Sequence, residues 1–328
     1  MKPLIKKLTE TFSPSGYESA IREVITDEIK DLADEIRVDA LGNLIARKGS
    51  GGKKIMLAAH MDEIGIMVNH VDKNGFARFA SLGGVFPHTL VGARVQFING
   101  IKGVIGAYIF TRPIKMIMGN KMYIDTGATT PENSLIQVGD AAGFDRPFLD
   151  LGERLVAKSM DDRIGVAVLI ETLRALKSTP YEAYFVFTTQ EEVGVRGAQT
   201  SAYGINPDLG IAVDVTGADD MPEVDSETIF LGKGPTIKYK DAGTISNPRL
   251  NAEIIKVAEK NNIPYQREVA TMGGTDAHAI QLSQTGVPVS TLSIPCRYVH
   301  SPSEMVDYSD VQNTVKLLVK LLEKEIEI

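Results

Sequence analysis

Segments with strand character and segments with helical character alternate along the second half of the chain, and this order constrains the fold more than any other feature. The predicted elements are a helix over 163–176, strands over 183–188 and 209–215, a helix over 249–260, a strand over 287–294 and a closing helix over 311–325. Alternating strands and helices build a mostly parallel sheet with helices on both faces. We therefore predict an α/β fold with a mainly parallel sheet sandwiched by helices.

The first sixty residues fit the same sheet. The segment Ser15–Glu18 has the spacing of a capping box, and apolar residues follow it at helical period from Ile21 to Ile29. Two short strand-like runs come next, over 35–39 and 44–48, and Lys54–Ala59 is predicted as a buried strand. These elements extend the predicted sheet before the chain changes character.

The stretch between these two parts has a different character. From about Met67 to Ala157 glycine recurs and no long helical period occurs. Asn74-Gly75 and Asn99-Gly100 each separate apolar runs, as the turns of tight hairpins do. We predict an inserted, mostly β domain over residues 67–157, which divides the catalytic domain into residues 1–66 and 158–328.

Composition and charge disfavour several classes of protein. The 328 residues carry a formal net charge of -7 without any run of lysine or arginine, so we expect no nucleic-acid partner. No run of roughly 18 apolar residues occurs, and the first residues lack the apolar core of a signal peptide, so we expect no membrane association. The single cysteine, Cys296, fits a reducing compartment, and we expect a cytoplasmic protein.

Acidic and imidazole side chains follow the ends of several predicted strands. They form five groups along the chain: His60-Met61-Asp62, Asp161-Asp162, Glu191-Glu192, Asp214 and His300. In open α/β sheets the carboxyl ends of the strands line the ligand-binding crevice. We therefore predict that these five groups converge on one cleft.

The chemistry of these groups suits a pair of divalent metal ions. Imidazoles at positions 60 and 300, with carboxylates at 161, 192 and 214, favour zinc, cobalt or manganese over metals that prefer thiolates. Two such ions carry four positive charges, which the three carboxylates and one bridging hydroxide would balance. Balanced charge lowers the free-energy cost of burying the whole set.

Each group also has an ordinary interpretation when it is taken alone. Asp161 and Asp162 can cap a helix, Asp214 can form an Asx turn, and the remaining groups can be surface or loop residues. The adjacent acids after Phe185–Phe187 can be solvated, although that apolar run is predicted to be buried. Only the combination of all five, in this order, favours a metal centre.

Six stretches of the chain resemble the tetrahedral (TET) aminopeptidases, a co-catalytic metallopeptidase family of deblocking, glutamyl, leucyl and lysyl aminopeptidases, some of them labelled endoglucanases. The stretches are Ala59–Gly65, Met160–Gly165, Gln190–Ala198, Ala212–Thr216, Gly273–Ala277 and Arg297–Pro302. The resemblance spans nearly the whole chain. It implies a zinc-exopeptidase-like α/β domain with an inserted PDZ-like β domain used in assembly, commonly into a homo-oligomeric dodecamer built from dimers.

The resemblance also implies a role for each matched ligand. Asp161 would bridge two divalent metal ions in each subunit. His60 and Asp214 would complete one site. Glu192 and His300 would complete the other. Zinc or cobalt is the expected metal, and manganese is an alternative.

Two further residues would act on the water and its surroundings. Glu191 would be the general base that takes a proton from the metal-bridging water, leaving the hydroxide that attacks the peptide bond. Asp62 would orient the imidazole of His60, a role that carboxylates next to metal-bound histidines commonly have. The implied activity is removal of N-terminal residues from peptide substrates.

Three alternatives compete with this interpretation. A related co-catalytic carboxypeptidase or deacylase shares the ligand pattern, but its extra domain typically lies between the fourth and last ligand groups, whereas here the insertion lies between His60 and Asp161. A glycosidase needs only a pair of carboxylates, and a carbohydrate groove without any tryptophan is unusual. The third alternative is a peptide-binding scaffold, which leaves an intact base and ligand set without a purpose.

The sequence gives only candidates for side-chain specificity. The segments Gly273–His278 and Gly217–Ser226 are the candidates, and His278 occupies a position where smaller residues are expected in the family. The specificity, the native metal and the physiological substrate are left open at this point.

Overall fold

The computed structural model describes residues 1–107, 121–224 and 228–328. Its helices are α1 Lys2–Glu10, α2 Ser19–Ile29, α3 Met160–Ala175, α4 Arg196–Ile205, α5 Pro248–Lys260, α6 Ala277–Gln281 and α7 Tyr308–Leu322. Its strands are β1 Glu35–Val38, β2 Leu44–Lys48, β3 Lys54–His60, β4 Gly65–Val71, β5 Ala77–Leu82, β6 Arg94–Phe97, β7 Lys102–Ala107, β8 Met122–Asp125, β9 Ala141–Phe144, β10 Leu149–Asp150, β11 Arg154–Ala157, β12 Glu182–Thr188, β13 Leu209–Gly217, β14 Thr236–Lys240, β15 Gln266–Val269, β16 Val289–Arg297 and β17 Glu304–Asp307.

The larger sheet is mixed, with its parallel strands at the centre. Its order is β1-β2-β12-β3-β13-β16-β17-β11-β10, and β14 pairs with both β16 and β15. Neighbours from β12 to β16 are parallel, whereas the outer pairs are antiparallel. The α/β class is therefore confirmed, but the prediction of a mainly parallel sheet is wrong at both edges. Short connections, such as that between β16 and β17, can only join antiparallel strands.

Helices cover both faces of this sheet because its central strands are apolar on both sides. In β3, Ile55, Leu57 and Ala59 belong to one apolar cluster, in which they join side chains of α1, α2, α3, α5 and α7. The alternate residues Met56 and Ala58 belong to a second cluster, with side chains of α4 and α6. This alternation follows from the two-residue period of a strand. The sandwich of helices around a sheet is confirmed.

A second body of strands forms a closed barrel in the order β4-β5-β8-β7-β6-β9. Its interior is apolar and includes Val68, Val95, Phe97 and Ile124. Both hairpins predicted at Asn-Gly are present, since β4 pairs with β5 and β6 with β7 in antiparallel fashion. The barrel occupies most of the stretch for which a PDZ-like domain is predicted, and the PDZ-like character stays a prediction.

The predicted bounds of the inserted domain also stay a prediction. The barrel strands lie between Gly65 and Phe144, whereas β10 and β11, which fall inside 67–157, pair with the larger sheet. Residues 108–120 of the predicted domain lie outside the described part of the chain. Across the described residues, no helix has both the length and the apolar character that crossing a bilayer requires.

The predicted capping box at Ser15–Glu18 is wrong. Helix α2 begins at Ser19, and its N-cap residue is Glu18, whose side chain makes no cap hydrogen bond. The hydroxyl of Ser15 instead donates to Oδ2 of Asp62, at 2.6 Å. The spacing of a motif does not show which acceptor a hydroxyl will meet in the folded chain.

Candidate metal centre

Five segments bring the predicted site residues to the carboxyl edge of the central strands. His60 is the last residue of β3, and Asp214 lies within β13. Glu191 and Glu192 follow β12, and His300 follows β16. The fifth segment carries Asp161, which lies at the start of α3, where the backbone is not yet helical. The strands thus converge as the α/β pattern predicts.

Asp161 lies between the two imidazoles. Its Oδ1 is 3.0 Å from Nε2 of His60, and its Oδ2 is 3.2 Å from Nε2 of His300. Nε2 of His300 is also 3.4 Å from Oε2 of Glu192. One carboxylate therefore faces two nitrogen donors through different oxygens.

Two groups of three donors follow from this geometry. The first is His60, Asp161 and Asp214, and the second is Asp161, Glu192 and His300. Within each group the donor atoms lie within 4.8 Å of one another, and Asp161 belongs to both groups. The structure thus brings all five predicted ligands together, while their function as ligands stays a prediction.

Asp62 lies beside this centre and contacts two of its segments. Its side chain is fully buried and accepts the backbone N–H groups of Glu191, at 3.0 Å, and of Glu192, at 3.3 Å. Its Oδ1 is 3.4 Å from Nδ1 of His60, and the backbone carbonyl of Asp62 is 3.2 Å from the same nitrogen. Asp62 thereby contacts both the segment of the predicted base and the ring of a predicted ligand.

Glu191 is placed beside the candidate ligands without belonging to either group of donors. Its Oε2 lies 3.9 Å from Nε2 of His60. The side chain is 13% exposed and lines the same cleft as the two imidazoles. A carboxylate in this position can reach a proton on a molecule held between the two donor groups.

Burial and mutual repulsion disfavour ionisation of these acids. Burial, reinforced by the charge of Asp161, raises the pKa of Glu192 to about 8 and the pKa of Asp214 to about 7. Burial, together with the charge of Asp214, raises the pKa of Glu191 well above its ordinary value. Carboxylates crowded in this way retain protons near neutral pH unless a cation compensates their charge.

The two imidazoles, in contrast, favour their charged form, because the pKa of each ring is raised. Burial opposes their protonation most strongly, but the hydrogen bond to Asp161 and the charges of the surrounding acids together outweigh it and raise the pKa of His300 to about 10. The pKa of His60 is raised well above its ordinary value by the same acid and by Asp62, again against burial. Burial raises the pKa of Asp161, but the hydrogen bonds from the two rings and the charges of the rings together lower it below its ordinary value. The centre therefore favours positive charge beside Asp161.

The donor set fits a pair of divalent cations. Imidazole nitrogens and carboxylate oxygens are the donors that zinc and related ions prefer. One oxygen, Oε1 of Glu192, is buried and has no hydrogen-bond partner among the described residues. A buried carboxylate oxygen without a partner is costly, and a cation would satisfy it. Cations would also take over the stabilisation that protons supply to the crowded acids.

A cleft of about 810 Å³ opens from this centre. Of the segments predicted to bear on specificity, Gly273–Thr275 and His278 line it, as does Gly217. Residues 225 and 226 of the predicted segment Gly217–Ser226 lie outside the described part of the chain. Lys238, whose Nζ is 3.3 Å from Oε1 of Glu268, also lines the cleft and was missed by sequence reasoning.

Two other features of the centre were missed. Glu304 is buried, and its carboxylate accepts the backbone N–H groups of Asp161 and His300. The loop after β5 reaches the centre from the barrel, where Gly83 adjoins Glu192 and Gly84 adjoins His300. The acid four residues after His300 was a visible signal, whereas nothing in the local sequence of the two glycines indicates this contact.

Comparison with known proteins agrees with the fold and defines a class of aminopeptidases. The family model of M42 glutamyl aminopeptidase matches residues 42–317, and the chain belongs to this family. The lysyl aminopeptidase of Pyrococcus furiosus is 39% identical over 337 residues, covering 98% of this chain and 96% of the relative.

Solved structures agree over the whole length. The aminopeptidase APDkam598 of the archaeon Desulfurococcus kamchatkensis has a TM-score of 0.95 and 40% identity, covering 99% of this chain and 94% of its own. The TET1 peptidase of Pyrococcus horikoshii has a TM-score of 0.90 and 36% identity, covering 99% of both chains. The predicted resemblance to TET aminopeptidases is confirmed. The chain is an aminopeptidase, a hydrolase that acts on peptide bonds, and its family implies divalent metal ions.

Proposed function

We propose that the chain is a dinuclear metal-dependent aminopeptidase that removes N-terminal residues from peptides. The single observation that carries this proposal is the pair of three-donor groups that share Asp161. A shared carboxylate is what two neighbouring ions require, because its two oxygens can each meet one ion. In the structure, each oxygen of Asp161 faces a different imidazole.

The proposed ligands divide between the two ions. His60 and Asp214 would hold one ion, Glu192 and His300 would hold the other, and Asp161 would contribute to both sites. Zinc or cobalt fits this set of nitrogen and oxygen donors best, and manganese is also compatible. Lone donors of this kind are common on protein surfaces, but here the carboxylates of Asp161 and Asp214 are buried.

Bound ions would supply Lewis-acid chemistry at this centre, activating a water molecule and the carbonyl of the scissile bond. Glu191 would take a proton from the attacking water and pass it to the leaving amine. Asp62 holds Glu191 by its backbone N–H and keeps the ring of His60 in place.

We further propose that the chain assembles with copies of itself. The TET1 peptidase of Pyrococcus horikoshii is described as able to assemble into a tetrahedron or a large octahedral shell. A dodecamer built from dimers, with the inserted domain over residues 67–157 as the PDZ-like assembly element, is the corresponding proposal for this chain. The cytoplasmic location expected from composition stays a prediction.

Glu191→Gln tests the proposed base. Glutamine keeps the size of the side chain but cannot accept the proton, so we expect kcat to fall about 10²–10⁴-fold. Both metal ions should remain bound, because Glu191 lies outside the two donor groups. Hydrolysis of aminoacyl-nitroanilides gives kcat, and elemental analysis gives the metal content.

The exposed Glu153 offers a matched control, since Glu153→Gln makes the same chemical change away from the cleft. The wild-type chain should lose activity to a chelator and regain it with cobalt or zinc. Near-normal turnover of Glu191→Gln would contradict the role of the base. Wild-type activity that resists complete removal of metal would contradict the metal-dependent function itself.

A further inference from the structure

Glu304 connects two of the proposed ligands that belong to distant parts of the chain. Its Oε2 accepts the backbone N–H of Asp161, at 2.9 Å, and its Oε1 accepts the backbone N–H of His300, at 2.8 Å. The side chain is 1% exposed. Both oxygens of one buried carboxylate therefore accept hydrogen bonds from backbone that carries a proposed ligand.

The sheet fixes where this carboxylate stands. Glu304 is the first residue of β17 and pairs in register with Ala157, the last residue of β11. The chain leaves β11 there and continues directly to Asp161, while His300 precedes Glu304 by four residues. The pairing of β11 with β17 thus places one side chain within reach of both ligand segments.

The backbone of His300 requires such support. Its φ is 61°, in the left-handed region that residues other than glycine rarely adopt. Conformations of this kind cost roughly 1–3 kcal/mol and persist where surrounding contacts fix them. The hydrogen bond from the N–H of His300 to Glu304 is one such contact, and it holds the ring in the orientation that faces Asp161.

We propose that Glu304 is a positioning residue that sets the distance between Asp161 and His300 and so determines the affinity of the ion held by Asp161, Glu192 and His300. This inference rests on the proposed two-metal function. Because His300 belongs to only one donor group, loss of Glu304 should lower the affinity for that group's ion more than the affinity for the ion held with His60 and Asp214. Replacing carboxylates that support metal ligands typically lowers metal affinity roughly 10–100-fold.

Glu304→Gln in the full-length chain tests the proposal. Glutamine has the same shape but offers one acceptor, so one of the two N–H groups loses its partner. Titration of the metal-free protein with Co²⁺ by calorimetry should show one ion bound nearly as in the wild type and the other roughly 10–100-fold more weakly. The visible absorption of bound Co²⁺ reports independently whether the geometry of the weakened site has changed. His300→Ala and Asp214→Ala, each lacking a ligand of one site only, assign the two binding steps.

Asp310→Asn is the matched control. Asp310 is also a buried carboxylate that accepts two backbone N–H groups, those of Gly232 and Gly234, each at 2.7 Å. A general effect of breaking such a clamp would appear in both variants as a lower melting temperature. Only Glu304→Gln should change the Co²⁺ affinity and spectrum.

Glu304→Asp is a second variant, which keeps the charge but shortens the side chain by one methylene group. We expect it to retain one N–H contact and to fall between the wild type and Glu304→Gln in the affinity of the weaker ion. Wild-type binding of both ions by a folded Glu304→Gln overturns the proposal, as does failure of both variants to fold, which would make Glu304 a residue of general stability. A wild-type chain that binds no pair of ions would instead contradict the proposed function.

Discussion

Asp62 contacts three different segments of the candidate metal centre through one fully buried carboxylate. It accepts the backbone N–H groups of Glu191 and Glu192 and the hydroxyl of Ser15, and its Oδ1 is 3.4 Å from Nδ1 of His60. These contacts fix the start of the loop that carries the proposed base relative to the imidazole of a proposed ligand. At the scale of single residues, this one buried carboxylate fixes the positions of more neighbouring groups than an acid on the surface can.

We expect Asp62→Asn to lower metal affinity roughly 10–100-fold, because the amide replaces one acceptor with a donor and leaves a backbone N–H unpaired. Calorimetric titration of the metal-free protein with Zn²⁺ measures this affinity. Ser15→Ala is the control, since it removes one donor to Asp62 and leaves both of its oxygens in place. Equal affinities in Asp62→Asn and the wild type would rule out this role.

The site residues differ in how far the sequence could predict them. The acids and imidazoles after predicted strands could be found, because each follows an apolar run whose end must reach the edge of the sheet. Glu304 could not be assigned a role, since its contacts depend on the register between β11 and β17. Ser15 was placed in a capping box because its spacing fitted one, whereas its hydroxyl meets Asp62 in the fold.

At the scale of elements, Arg163 joins α1 to the start of α3. This fully buried side chain donates to the carbonyl oxygens of Leu8, at 2.6 Å, Thr11, at 2.8 Å, and Ser13, at 3.3 Å. Its Nη2 is also 3.6 Å from Oε1 of Glu63. The guanidinium thus satisfies carbonyls at and after the end of α1, and it shares the charge of Glu63 with Lys158, whose Nζ is 2.5 Å from Oε2 of that acid.

We expect Arg163→Met to lower the free energy of unfolding by about 3–5 kcal/mol, because three carbonyls in a buried region lose their donor, while Glu63 keeps its ion pair with Lys158. Urea denaturation at fixed protein and metal concentration measures this change. Arg174→Met, on the same helix, breaks only the partly exposed pairs with Glu28 and Glu171, and should cost about 1 kcal/mol or less. A similar cost for both variants would contradict the expectation.

Elements were predicted where the apolar period was strong and missed where it was weak. The helix predicted over 163–176 corresponds to α3, whereas α4 was missed, since Gly197 and Gly204 lower its helical propensity. The antiparallel direction of the outer strands was not predicted, and β17 was not predicted as a strand, because the strand pattern alone does not give the direction in which a strand pairs.

At the scale of the whole molecule, the barrel reaches the candidate metal centre through the loop after β5. A Cβ atom on Gly84 would lie 2.6 Å from Nδ1 of His300, and one on Gly83 would lie 2.8 Å from Oε2 of Glu192. Contacts this short leave no room for a side chain. Because these two positions are glycine, the loop of the barrel can contact Glu192 and His300. These two residues are proposed ligands of the same ion and of that ion alone.

We expect Gly84→Ala to lower the affinity for the ion held with Glu192 and His300 about tenfold or more, since the added methyl group must displace the ring of His300 or the loop. The ion held with His60 and Asp214 should bind as before. Calorimetric titration with Co²⁺ separates the two. Gly204→Ala, where an added Cβ meets nothing within 4 Å, is the control. Unchanged affinity for both ions in Gly84→Ala would contradict this expectation, because it would show that the loop can move aside without any loss of metal affinity.

The contact of Gly83 and Gly84 with the ligands has a thermodynamic consequence for an assembling enzyme. A neighbouring subunit that favoured one position of the barrel would change the affinity for the adjacent ion, and by linkage that ion would change the association of subunits by the same factor. Measuring the association constant at two metal concentrations would therefore report on the same coupling as measuring metal binding at two protein concentrations.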